Sequence, residues 1–212
     1  MSPLSHKKSD LPKLLKSHFA NEGTEVGCDE AGRGCLAGPV VAAAAIIPRG
    51  KSFDFLNDSK QLNEKQRNDA AEKIKNELEH WAIGVVSPER IDEINILKAS
   101  FEAMHLALNQ IKSDFDLILV DGNRFVPYLN KKHECVIKGD GKYQSIAAAS
   151  ILAKTHRDHL MLEYHEQYPQ YGWNTNMGYP TVKHRKAIAE FGDTPLHRKT
   201  FNLLGDKQLK LF

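Results

Sequence analysis

Short apolar runs alternate with longer amphipathic stretches along most of the chain. Five short apolar runs predict β-strands, and they span residues 26–29, 40–47, 81–86, 117–120 and 134–138. The run at 40–47 is unbroken and is closed by Pro48, which is typical of a buried strand. Four longer stretches predict helices, at 63–80, 88–111, 144–168 and 180–191, with a loop at 171–179. At 88–111 the apolar residues recur every three or four positions, which predicts a stripe facing the core.

Two of these helices also carry start signals. Asn63 and Gln66 have the spacing of a capping box, and Pro88 stands at the tolerated first position of the next helix. Strands come first and then alternate with long helices, which indicates an α/β domain with a central mixed β-sheet flanked by helices. The predicted organisation is a polar lead-in at 1–21, a core at 22–170, a C-terminal helical extension at 171–205 and a short tail at 206–212.

Composition narrows the class of protein. The 212 residues are 41% hydrophobic and 26% charged, an ordinary globular balance that excludes wholesale disorder. The longest apolar run falls far short of the roughly 20 residues of a spanning helix, so we expect no membrane segment. The first residues lack a secretory h-region, so we expect a cytoplasmic protein. Three scattered cysteines offer neither a disulfide framework nor paired zinc spacing. The net charge is only +2, so any basic patch must be local.

Carboxylates interrupt the apolar segments where strands end. Asp29 closes the first strand and Asp121 closes the fourth, and ligands of α/β sheets usually lie at such ends. If the two strands are parallel neighbours, both carboxylates face one crevice. Glu30 joins them only if the chain bends at Ala31-Gly32. Asp158 follows a small, apolar helical segment at 147–153 and could reach the end of the sheet.

Oxygen ligands without soft ligands favour Mg²⁺ or Mn²⁺ over zinc. Such a site would clamp a phosphate and activate water. Each residue also has a plainer interpretation: Asp121 could belong to a turn, Asp29 and Glu30 could be solvated, and Asp158 could pair with Lys154 or Arg157. A zinc site built on His156 and His159 lacks a supporting third ligand.

Glycines and cations surround these acids. In Gly32-Arg33-Gly34 the glycines permit close backbone approach and the arginine can pair with a phosphate, although the tripeptide could be merely a turn. From residue 171 onward, basic residues are interleaved with Trp173, Tyr179 and Phe201. This mixture suits a nucleic-acid surface, and the alternative is a solvated helix face.

Taken together, these segments resemble the bacterial ribonuclease HII family, the type 2 ribonucleases H. The resemblance runs from about 26 to 204 and rests on seven segments. They are VGCDEAGRGCLAGPVVAAAAI at 26–46, NDSKQLNEKQR at 57–67, SPERIDEINILKAS at 87–100, LILVDGN at 117–123, KGDGKYQSIAAASILAKTHRD at 138–158, GYPTVKH at 178–184 and HRKTF at 197–201. Cys35 stands where the family commonly has proline, and Met177 where it commonly has lysine.

The resemblance implies an RNase H-like fold and two divalent ions, Mg²⁺ or Mn²⁺, held by four carboxylates: Asp29, Glu30, Asp121 and Asp158. It implies an endonuclease acting on RNA–DNA hybrids and on single ribonucleotides in duplex DNA, leaving 3′-hydroxyl and 5′-phosphate ends. It further implies that Gly32, Arg33 and Gly34 read the ribose 2′-OH, and that Tyr179 packs on the next deoxyribose. Ser59, Lys60 and Ser145 would lie near the nucleic-acid backbone.

Two rival functions stay open at this point. One is a different nuclease of the same superfold, such as a junction resolvase or transposase-like enzyme; the other is a catalytically idle hybrid-binding module. The loop that would read a 2′-OH argues against the first, and the complete acidic set against the second. We expect a monomer.

The last five residues form a separate motif. Gln208, Leu209, Leu211 and Phe212 lie in the pentapeptide QLKLF, which resembles the motif that binds the bacterial sliding clamp. The alternative is that the apolar tail folds back as a latch on the enzyme.

Overall fold

A five-stranded mixed sheet forms the centre of the molecule, which is described here by a computed structural model covering residues 14–56 and 62–205. Its strands are β1 (Glu25–Ala31), β2 (Val40–Ile46), β3 (Trp81–Val86), β4 (Leu117–Asp121) and β5 (Lys132–Val136). The spatial order is β3-β2-β1-β4-β5. The pairs β3–β2 and β2–β1 are antiparallel, whereas β1–β4 and β4–β5 are parallel. The predicted mixed sheet is confirmed.

In the part of the chain that the structure describes, six α-helices flank the sheet or extend from it. They are α1 (Glu64–Glu77), α2 (Pro88–Ile94), α3 (Ile96–Leu108), α4 (Gln144–Gln167), α5 (Trp173–Asn176) and α6 (Val182–Phe191). The capping box predicted for α1 is present, since the Asn63 side chain accepts from the Gln66 amide and the Gln66 side chain accepts from the Asn63 amide. None of the described helices is long and apolar enough to cross a membrane.

The alternation of side chains along β2 creates two cores. Val40, Ala42, Ala44 and Ile46 face one side, where α2 and α3 pack. The residues between them face the other side, against α1 and α4. Both faces of the strand are covered, which explains why its sequence is apolar without a break.

Close packing of α4 against β1 depends on Gly27. A Cβ at that position would lie 2.3 Å from the Ser145 carbonyl carbon, so only glycine lets the first turn of α4 approach the strand. Residues 14–21, the described part of the lead-in, run along this region: the Lys16 amide donates to the Lys142 carbonyl at 2.8 Å. Segment 171–205 packs through a third apolar cluster that includes Leu36 and Trp173.

Three details differ from the sequence-based predictions. The helix predicted at 88–111 is two helices, because Asn95 adopts φ +69° and its side chain caps α3 by accepting from the Leu97 and Lys98 amides. The strand predicted at 134–138 begins and ends two residues earlier, as β5. The loop predicted at 171–179 contains the short helix α5.

Candidate active site

Parallel pairing of β1 with β4 brings two carboxylates to one edge of the sheet. Cys28 is level with Val120 in that pair, so Asp29 and Asp121 follow side by side. A third carboxylate, Asp140, completes a group in which one oxygen of each residue lies within 4.8 Å of the others. Asp29 and Asp140 are buried and Asp121 is half-buried.

Asp140 was not predicted as a site residue. It lies in the single 3-10 turn Gly139–Gly141 that follows β5, the strand next to β4. The Gly139 amide donates to Asp121 Oδ1 at 2.7 Å, which ties this turn to the end of β4. A usable signal existed, because Asp140 follows the third parallel strand just as Asp29 and Asp121 follow or close the first two.

Burial and mutual repulsion shape the electrostatics of the group. Burial, followed by the charges of Glu30 and Asp121, raises the pKa of Asp29 well above its usual range. Hydrogen bonds from the Ser150 hydroxyl and the Glu30 amide partly oppose this rise. Burial also raises the pKa of Glu30, against the lowering effect of Arg33, whose guanidinium lies 3.0 Å from Glu30 Oε1.

These residues fit a divalent cation. Carboxylate oxygens are the donors that Mg²⁺ and Mn²⁺ prefer, and three of them converge here in a partly buried site. A cation would also relieve the repulsion that raises the pKa of Asp29. Among the described residues, the aspartate group is the one cluster with metal-binding spacing, and it includes neither His156 nor His159.

The structure does not bring Asp158 into this group. Lys154 Nζ lies 2.5 and 2.7 Å from its two carboxylate oxygens, and Arg67 Nη2 lies 3.1 Å from Oδ2. The predicted alternative, an ion pair with Lys154, is therefore what forms. The physical reason is distance along α4: Asp158 lies two turns beyond Ser150, the residue on that helix that reaches Asp29.

The Gly32-Arg33-Gly34 loop borders the carboxylates. Gly32 has φ +92°, and a Cβ there would lie 2.0 Å from Nε of Arg157. Gly34 has open space around its would-be Cβ. Arg157 is fully buried and donates to the carbonyls of Pro39, Met177 and Ala37 at 2.9–3.0 Å. The loop thus rests on a buried guanidinium.

Tyr179 lines the same cleft as Asp29, Glu30 and Asp121, and its side chain is partly exposed. Its carbonyl accepts a hydrogen bond from His184 Nδ1 at 2.9 Å, and His184 Nε2 accepts from Trp173 Nε1 at 2.9 Å. The cleft has a volume of about 410 Å³. The residues that line it are Asp29, Glu30, Ala31, Gly32, Arg33, Gly34, Leu62, Arg67, Asp121, Ser150, Lys154 and Tyr179.

One of the predicted site residues, Ser145, is buried. Only 2% of it is exposed, because the first turn of α4 packs on β1 at Gly27, and its hydroxyl faces the interior. Its expected role near the nucleic-acid backbone stays a prediction, and from this buried position it would act through the packing of α4 on β1. Ser59 and Lys60 lie outside the described residues, as do Gln208, Leu209, Leu211 and Phe212 of the tail.

Comparison with known proteins identifies relatives over nearly the whole chain. The family model described as Ribonuclease HII matches residues 26–204. The ribonuclease HII of Bacteroides thetaiotaomicron is 64% identical over 198 residues, covering 93% of this chain and 99% of the relative. The ribonuclease HII of Porphyromonas gingivalis is 54% identical over 188 residues, covering 89% and 94%.

Solved structures with this fold include two archaeal proteins. The ribonuclease H2 of Pyrococcus horikoshii OT3 superposes with a TM-score of 0.72 at 28% identity, covering 85% of this chain and 95% of that one. The ribonuclease HII of an Archaeoglobus fulgidus complex with PCNA gives 0.68 at 26% identity, covering 84% and 95%. The predicted RNase H-like fold is confirmed.

Proposed function

The chain belongs to the ribonuclease HII family, nucleases that cleave the RNA of RNA–DNA hybrids, and we propose that it also incises at single ribonucleotides embedded in duplex DNA. We further propose a two-metal mechanism that leaves 3′-hydroxyl and 5′-phosphate ends. The observation that carries the proposal is the convergence of Asp29, Asp121 and the buried Asp140, because the first two line one cleft with the Gly32–Gly34 loop and Tyr179.

In this mechanism Asp29, Asp121 and Asp140 hold the cations, and Glu30 completes the set beside them. Asp140 takes the place that the sequence had suggested for Asp158. When bound, two divalent ions would supply an activated water and stabilise negative charge on the leaving 3′ oxygen. The Ser150 hydroxyl orients Asp29, and the Gly139 amide orients Asp121, so that both carboxylates keep their ligand oxygens aimed at the cleft.

We assign specificity to the Gly32–Gly34 loop and to Tyr179, which line the same cleft as Asp29 and Asp121. The 2′-OH is the group by which a protein distinguishes RNA from DNA at one position. Gly34 leaves room for a sugar to approach the loop backbone, and Arg33 is half-exposed and able to pair with the adjacent phosphate. The partly exposed ring of Tyr179 offers a surface for the next deoxyribose.

A comparison of four substrates tests this function. In Mg²⁺ or Mn²⁺ we expect incision of an RNA–DNA hybrid and of a duplex with one ribonucleotide, and no cleavage of an all-DNA duplex or a Holliday junction. Extension of the nicked products by a DNA polymerase checks for the 3′-hydroxyl. Cleavage of the all-DNA substrates would favour the rival nuclease class, and absence of all cleavage would favour the binding module.

The role of Asp140 has its own test. Asp140→Asn should lower turnover by about a hundredfold or more, as expected when one charged group that acts on the transition state is lost. Asp121→Asn serves as the matched comparison, because the same change is made in the neighbouring ligand. Near wild-type turnover by Asp140→Asn would remove Asp140 from the metal site.

A further inference from the structure

Asp158, excluded from the carboxylate group, has an arrangement of its own on α4. Ser150, Lys154 and Asp158 are spaced by four residues and therefore share one face of the helix. Ser150 reaches Asp29 at the catalytic end, Lys154 lines the cleft, and Asp158 lies one turn further away. This face of α4 therefore runs from the aspartate group to Asp158, whose carboxylate pairs with Lys154 and Arg67.

Both oxygens of Asp158 are engaged by cations that line the cleft. Lys154 Nζ contacts both of them, and Arg67 Nη2 reaches Oδ2 from α1 at 3.1 Å. Only 11% of the Asp158 side chain and 13% of the Arg67 side chain are exposed, against 29% for Lys154. Lys154 is thus the member of the trio that is open to a ligand, and the other two are packed behind it.

We propose that Asp158 is a positioning residue that holds Lys154 at the rim of the cleft, where its ammonium binds a backbone phosphate of the nucleic acid. This inference rests on the proposed function, because it assigns a substrate contact to the same cleft. A lysine side chain loses rotamer freedom when it binds, so holding Lys154 in place beforehand through Asp158 strengthens its contact with a phosphate.

Arg67 helps to hold the Asp158 carboxylate in place. Its Nη1 also donates to the Leu62 carbonyl at 3.4 Å. This hydrogen bond ties Arg67 to the residues just before α1 and fixes its guanidinium beside Asp158. The carboxylate therefore has one mobile partner and one fixed partner. Removing its charge frees Lys154 while leaving the metal-binding aspartates untouched.

The test separates positioning from metal binding. Titration calorimetry with Mn²⁺ should give the same stoichiometry and affinity for Asp158→Asn as for wild type, whereas Asp121→Asn loses binding. With an RNA–DNA hybrid as substrate, Asp158→Asn should raise KM about tenfold, roughly the value of one phosphate contact, and change kcat little. Thermal unfolding of each variant checks that it is folded.

A double-mutant cycle tests the assigned partner. Lys154→Met should raise KM to a similar extent, and Asp158→Asn made in that background should add much less than it does alone. Loss of Mn²⁺ binding by Asp158→Asn, multiplicative effects in the cycle, or an unchanged KM would each overturn the proposal. A wild-type protein that binds Mn²⁺ but cleaves no hybrid would instead refute the proposed function.

Discussion

Replacing Gly32 by alanine should destabilise the protein much more than the same change at Gly34, two residues further along the same loop. The new Cβ at Gly32 would lie 2.0 Å from Nε and 2.5 Å from Cδ of Arg157. Neither atom can move aside without weakening a hydrogen bond, because Arg157 is fully buried and its guanidinium donates to three backbone carbonyls. At Gly34 no heavy atom lies within 4 Å of the added carbon.

The expected cost follows from two effects. A non-glycine residue held at positive φ loses about 1–2 kcal/mol, and Gly32 has φ +92°. Displacing Arg157 weakens at least one hydrogen bond from a charged group, at about 1.5–3 kcal/mol. The sum is about 2.5–5 kcal/mol for Gly32→Ala, which in a domain of this size lowers Tm by roughly 10 °C. Gly34→Ala should stay within about 0.5 kcal/mol of wild type.

Thermal unfolding and hybrid cleavage should be measured on both variants. We expect Gly32→Ala to lose stability and activity together, and Gly34→Ala to lose activity alone, because its methyl group occupies space that the substrate sugar needs. Equal stability of the two variants would refute the packing argument at Gly32. Full activity of Gly34→Ala would refute the close approach at Gly34 and leave the packing argument intact.

Three other predictions concern the C-terminal part of the chain. Tyr179→Ala should impair incision at a single ribonucleotide more than cleavage of a long hybrid in parallel assays; equal losses would assign the ring a structural role. Burial, and then the charge of His184, lowers the pKa of His197 to about 4 from 6.5, so the unfolded chain takes up a proton that the folded protein does not. Stability that is full above pH 6.5 should therefore fall by up to about 3 kcal/mol as the pH drops toward 4, and His197→Gln should flatten this dependence in unfolding titrations. A chain ending at Asp206 should lose affinity for a sliding clamp, with Tm and oligonucleotide cleavage unchanged; a marked fall in Tm would favour the latch.

Local patterns were sufficient to predict most of the fold. All five strands lie within two residues of the predicted apolar runs, and the match is close for β2 because a strand buried on both faces must be apolar throughout. The edge strand β5 is shifted by two residues at both ends, because its side chains are half-exposed or exposed and carry little pattern. The break at Asn95 was missed since α2 and α3 pack on the same side of the sheet and keep the apolar repeat in phase.

The site was predicted less completely, because it depends on which strands become neighbours. Asp29 and Asp121 close apolar runs, so their position is visible locally. Asp140 enters the group only because β5 pairs in parallel with β4 and the following turn bends back over Asp121. The one local signal for Asp140 is that it follows a strand, and residues 138–141 themselves look like a solvated turn. Asp158 carried a stronger local signal, because it follows a buried helical segment. An ion pair with Lys154 explains an acidic residue at this position equally well.

Two residues, Cys35 and Met177, depart from the family pattern, and the backbone around each is held by a buried arginine, while the buried Cys35 thiol also hydrogen-bonds the Tyr179 side chain. Arg157 donates to the Met177 carbonyl, and Arg198, also fully buried, donates to the carbonyls of Arg33, Gly38 and Pro39 on either side of Cys35. Carbonyl oxygens are present whatever the side chain, so these hydrogen bonds survive the substitutions. The two arginines thus fix the loop and the segment before Tyr179 relative to the carboxylates, and the enzyme can accept Cys35 and Met177 without losing the geometry of its cleft.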